Sequence, residues 1–261
     1  MSGFIFFKKE VKAIFKTYRI WLIPLIFIFL GILSPVTAKF LPAILKAALQ
    51  ADSTSGISLQ GIKIPEPTPV DAYLQWLKNL SQFGMLALIL LAMGLVAEEK
   101  ARGTLALVVT KPVSRTSIVF SKFLAQAGLF AIAAALGVGT TFLYTFLLFD
   151  KAPFLPLAQS SIAFGVYGLL ILSATILFSV LMKNQLGAGG LGLLSYFTLS
   201  ILANVGYGFD KYSPGALSAM ATKVAAGTHA FSKAYPAIGV SIVLSILIVS
   251  TAAFVLERQE L

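Results

Sequence analysis

From Phe123 to Phe149 the chain carries no charged residue, and shorter uncharged apolar runs occupy 20–36, 81–97, 160–182, 186–204 and 236–256. A hydrocarbon core about 30 Å thick is crossed by roughly 20 apolar residues in a helix. Inside it each backbone amide must find its partner within its own segment or a closed barrel. The runs are long and do not alternate, so they predict helices. The expected fold is all-α: a polytopic membrane protein with six transmembrane helices in one domain. With 58% hydrophobic and 11% charged residues, the chain lies far from soluble domains, where about a quarter of residues are charged. The net charge of +10 belongs to residues flanking the apolar runs, not to a basic stripe interleaved with aromatics, so the partner it implies is the lipid bilayer and not nucleic acid. The absence of cysteine excludes disulfides and thiolate chemistry.

Residues 1–19 place Phe4, Phe7, Val11, Ile14, Phe15 and Tyr18 on one helical face and Lys8, Lys9, Lys12 and Lys16 mostly on the other. This predicts an amphipathic interfacial helix on an anionic leaflet. The competing reading is the basic region of a signal peptide cleaved after Ala38, a poor fit to so long and amphipathic a segment. The first span, 20–36, ends at Ser34-Pro35, and 37–80 is expected outside, with short helices near 41–49 and 71–83, as either a cap or a passive lid. The second external segment, 205–235, carries the lone His229. An even number of spans puts both termini on one side. That side receives Arg19, Arg102, Arg115 and Arg258, and the other receives Asp52, Asp71, Asp150 and Asp210. Basic residues mark the inside, so a multi-pass protein of the cell membrane with cytoplasmic termini is expected.

Between the second and third spans lies 98–122, EEKARGTLALVVTKPVSRTSIVFSK. Ala101, Leu105, Val108 and Val109 recur at amphipathic helical spacing, Gly103 weakens the first turn, and Pro112 ends the helix. The order of Glu98-Glu99, Gly103-Thr104-Leu105, Pro112-Val113-Ser114-Arg115 and then Lys122 resembles the first cytoplasmic loop of ABC-2 type permeases, the exporter class with NosY-like and antibiotic-efflux subunits. The resemblance implies a cytoplasmic coupling helix that receives the push of a separate ATPase subunit. Contact residues would be Glu98, Glu99, Arg102, Gly103, Thr104, Leu105, Val108, Val109, Pro112, Val113, Ser114 and Arg115. The alternative is that the carboxylates merely balance Lys100 and Arg102. The resemblance also implies a second permease protomer, identical or related, and outward movement of cargo. ATP and Mg would be bound by the partner, with no cofactor held by this chain.

No GxxxxGK[ST] loop occurs. Gly187, Gly189 and Gly192 spell GxGxxG, but without a preceding strand or a following acid the pattern reads as close helix packing. No Asp, Glu, Lys, Arg or His sits centrally in a predicted span, which argues against proton coupling. Hydroxyl, amide and aromatic groups are present instead, among them Gln126, Tyr144, Tyr167, Tyr196 and Asn204. They are candidates to line a path for an amphiphilic or lipid-like cargo, and equally candidates for bonds between helices. Nothing supports a catalytic site or a metal centre. An ion-driven transporter and a non-transporting scaffold or sensor remain the other function classes.

Overall fold

The computed structural model describes residues 2–17, 19–51, 65–103, 115–202 and 212–259, with some helical side chains in the first and second helices left aside. Every regular element among them is helical. In order they are α1 (Ser2–Lys16), α2 (Arg19–Ala51), α3 (Pro69–Asn79), a π turn (Leu80–Gly84), α4 (Met85–Ala92), α5 (Ala97–Ala101), α6 (Arg115–Phe149), α7 (Phe154–Leu181), α8 (Gln185–Leu202), α9 (Ala216–Ala225), a 3-10 turn (Phe231–Ala234) and α10 (Tyr235–Arg258). Six of the described segments are long and apolar enough to cross a membrane, as the uncharged runs require.

The first two spans are longer than the sequence pattern indicates. α2 does not stop at Ser34-Pro35 but continues through Pro35 and Pro42 to Ala51. Proline removes one amide donor, which neighbouring polar groups can offset inside a membrane helix. Beside Pro35 the Ser34 hydroxyl donates to Leu30 O at 2.6 Å and accepts from Asn79 Nδ2 at 2.9 Å, which ties α2 to α3; the carbonyl that Pro35 leaves without its helical donor is that of Gly31. On the other side of 52–68, α3 begins at Pro69, the favoured first-turn position for proline. The Asp71 carboxylate accepts from both the amide and the hydroxyl of Thr68, each at 2.8 Å. α3, the π turn and α4 then form one continuous run, so the helix expected near 71–83 is the first part of the second span.

Contacts fix the directions of the helices. Phe27 meets Phe130, and a Cβ added at Gly31 would lie 2.1 Å from Thr140 Oγ1 and 2.7 Å from Gly137 O. Numbering thus rises together along α2 and α6, which run parallel. They approach closely because Gly31 and Gly137 face one another, as small residues do where membrane helices cross. Trp76 packs against Gly137, and its indole N–H donates to Ser161 Oγ at 3.2 Å. α8 fits between α4 and α7: Gly189 abuts Met93, and Gly192 abuts Ile89 and Thr175. The close packing read from the glycine pattern is therefore made within this chain, although Gly190 points into open space. α7 is the central helix, with two thirds of its most apolar stretch buried. Beyond α6, Asp150 adopts φ 62° and caps the helix in the left-handed conformation before the turn at Pro153.

Candidate functional site

Both described chain ends and the two ends of the 97–122 connection meet at one end of the bundle, called here the terminal end. The second span breaks there. α4 stops at Ala92, and Val96 and Ala97 do not donate to carbonyls of their own helix; both amides donate to Ser179 Oγ on α7, at 3.0 Å each. That hydroxyl in turn donates to Met93 O at 2.8 Å. A side chain has been inserted into the backbone ladder, which is a recognised cause of a sharp bend. α5 leaves the break and ends at Gly103, whose φ of 67° suits glycine and closes the helix in a left-handed turn. The sequence pattern places Gly103 inside a longer helix; the structure ends a short helix there. Thr104, Leu105, Val108, Val109, Pro112, Val113 and Ser114 lie outside the described residues.

The two glutamates of α5 have different surroundings. Glu98 pairs with Arg102 at 2.5 Å in an exposed i,i+4 arrangement. Glu99 reaches across to Lys122 on α6 at 2.7 Å, and Lys122 also meets Glu10 of α1 at 3.4 Å. Lys122 is only 3% exposed and Glu10 8%. A buried ammonium held by two carboxylates is strongly tied to them, because removing a partner leaves an uncompensated charge. One cation thereby links the N-terminal helix, α5 and the third span. With Glu10 turned inward, Lys8, Lys12 and Phe15 share the outward stripe of α1, and Phe15 is 66% exposed.

Arg115 holds the opposite end of the connection. Its Nη1 donates to the carbonyls of Leu256, Glu257 and Gln259, at 2.9, 3.2 and 2.7 Å. These are orphan acceptors at the end of α10, where a cation is favoured. Lys100 Nζ donates to Val180 O, as does Gln259 Nε2 at 3.2 Å. Asn184 Oδ1 accepts from the amide of Gly187 at 2.7 Å and caps α8. The described part of the connection is thus fastened to α1, α6, α7 and α10.

The polar groups of the spans have other surroundings. Tyr196 OH lies 2.6 Å from Ser81 Oγ and donates to Ser81 O at 2.8 Å, holding α8 against the π turn. Tyr167 OH donates to Tyr196 O at 3.3 Å. Thr141, Thr145, Ser173, Thr175, Ser241 and Ser245 each donate to a carbonyl of their own helix. Gln126 is 1% exposed, and neither amide atom finds a hydrogen-bond partner among the described residues. Tyr144 is half-buried, and Asn204 lies outside the described residues. Lys122 with Glu10, and Arg115 with the C-terminal carbonyls, are contacts that no local pattern signals, since each joins residues more than a hundred positions apart.

Residues 4–256 match the family model described as ABC-2 family transporter protein. The chain belongs to that family. The ABC-2 assignment makes this protein a membrane permease of the ABC transporter class, in agreement with the six spans and with the resemblance of 98–122. A relative is the uncharacterized transmembrane protein YxlG of Bacillus subtilis (strain 168), 27% identical over 199 residues that make up 74% of each chain.

Proposed function

We propose that this ABC-2 permease is the membrane subunit of an ATP-driven exporter, moving an amphiphilic or lipid-like cargo outward from the side that carries its termini. That side is cytoplasmic in this reading, which makes the protein a multi-pass component of the cell membrane. Hydrolysis takes place in a separate ATPase subunit that binds ATP and Mg, and this chain contributes no catalytic site. A second protomer, identical or related, completes the membrane pathway.

The observation that carries the reading is the fastening of the 97–122 connection. Lys122 ties it to α1 and α6, Ser179 to α7, and Arg115 to the end of α10. A force applied to this connection is passed to several spans at once, which is what an external motor requires. Glu98 is the better candidate for meeting a basic group of the motor, because its own partner Arg102 is exposed whereas Glu99 is tied to the buried Lys122. The hydroxyls of Tyr167 and Tyr196 become available to cargo if α8 withdraws from the π turn.

The test is purification of the tagged protein from its native membrane in mild detergent, with mass spectrometry of what accompanies it. A soluble ATPase in near-stoichiometric amount is expected. Glu98→Lys should weaken that recovery while leaving the Lys122 ion group and the amount of inserted permease unchanged. Recovery of the permease alone, repeated after crosslinking in intact cells, would overturn the reading.

A further inference from the structure

A groove of about 600 Å³ runs along the membrane face of the bundle between α2 and the segment from the π turn through α4. Each lining residue is apolar. Leu22 and Leu90 stand toward its terminal end, Leu33 and Phe83 toward the middle of the bundle, and the buried Leu30 and Ala87 form its floor. We propose that this groove holds one acyl chain of a phospholipid from the leaflet on the terminal side.

Length supports this occupant. The stretch from Leu22 to Leu33 covers about 16 Å at 1.5 Å per residue, close to half of a hydrocarbon core about 30 Å thick. The groove is therefore one leaflet deep. Position agrees with length, because Leu22 lies near the start of the first span. Trp21, 76% exposed, is next to it at the level where interfacial aromatics meet the headgroups. A flexible apolar chain fits, and the volume lies within the range of small-molecule sites. The site comes from the packing itself: the floor residue Ala87 is small, and its neighbours Leu86 and Leu90 are exposed walls. This inference rests on the helices crossing a membrane and is independent of ATP-driven export.

The chain has no cysteine, so a single introduced one can be labelled uniquely. Leu90→Cys places a bimane label in the groove. Leu194→Cys places it on the exposed face of α8 at a similar depth, since Ile89 packs against Gly192. Both labelled proteins are put into phosphatidylcholine nanodiscs containing a few mole per cent of lipid with a nitroxide on its acyl chain. Quenching at position 90 should exceed that at 194, and Ala87→Phe should remove the excess without changing position 194. Leu86→Trp, which blocks the groove from an exposed wall, should do the same with no burden on the core. Equal quenching at the two positions, or an excess that survives both filling substitutions, would overturn the proposal. Weaker quenching at 90 than at 194 would overturn it in favour of a protein segment covering the groove.

Discussion

Ser179→Ala isolates the bend between α4 and α5. The substitution removes a fully buried hydroxyl that serves three backbone groups: the amides of Val96 and Ala97, at 3.0 Å each, and the carbonyl of Met93, at 2.8 Å. A lower bound comes from measured hydrogen bonds between membrane helices, which average about 0.6 kcal/mol each, so three bonds give about 2 kcal/mol. An upper bound comes from leaving two buried amides unpaired, at about 1–3 kcal/mol apiece. The expected loss is therefore about 2–6 kcal/mol, provided that α4 and α5 keep their bend. The assay is reversible unfolding in bicelles by steric trapping, with Ser173→Ala and Ser241→Ala as controls. Their hydroxyls donate to Leu170 O and Ala237 O within the same helix, and their removal should cost less than about 1 kcal/mol. A Ser179→Ala cost no larger than that of the controls would refute the reasoning. It would mean that Val96 and Ala97 return to their own helix carbonyls and that the bend is held by something other than this hydroxyl.

Lys122→Met should destabilise by about 3 kcal/mol, near the low end of the range for breaking a buried ion pair, because Glu99 keeps some access to water. Adding Glu10→Met should recover part of that loss in the same unfolding assay, and purely additive costs would argue against coupling between the two residues. Gly137→Ala should cost about 1–3 kcal/mol through overpacking, since its Cβ would lie 2.4 Å from the Trp76 ring. Gly190→Ala, which meets nothing within 4 Å, should be neutral or stabilising by up to about 1 kcal/mol. Gln126→Leu removes a buried amide that has no partner among the described residues and should raise stability by about 1–3 kcal/mol; a loss of stability would show that the amide is bonded in the membrane. Arg115→Ala should speed amide exchange in the last turn of α10 by about tenfold or more, corresponding to loss of charge-assisted bonds of about 1.5–3 kcal/mol. Exchange confined to wild-type rates would refute the capping role.

The spans were legible because an uncharged run such as Phe123–Phe149 admits few other structures in a membrane. Their ends were not. Pro35 reads as a stop by local rules, yet α2 passes it, as proline can in a membrane helix packed among others. Asp71 and Lys78 gave the first part of the second span a polar look that conceals its continuity with α4. At the terminal end, the charge of Glu98-Glu99 drew attention to the right connection. The separate destinations of the two carboxylates depend on Lys122 and Glu10, which sequence distance hides. Arg115 was legible only as a member of the Pro112-Val113-Ser114-Arg115 pattern; its grip on the carbonyls of α10 is a property of the fold.

The parallel pairing of α2 with α6 bears on how the chain is made. Two parallel neighbours cannot form as a hairpin, so the first helix enters the bilayer long before the helix that seats it. Roughly a hundred residues lie between Gly31 and Gly137, so at about 5–20 residues per second the notch at Gly31 stays open to lipid for roughly 5–20 s of synthesis. The first span must therefore be apolar enough to remain inserted without a protein neighbour, and Ile20–Leu45 has a hydropathy of 2.3. A nascent chain halted before α6 would present that unfilled notch to the membrane's quality-control proteases.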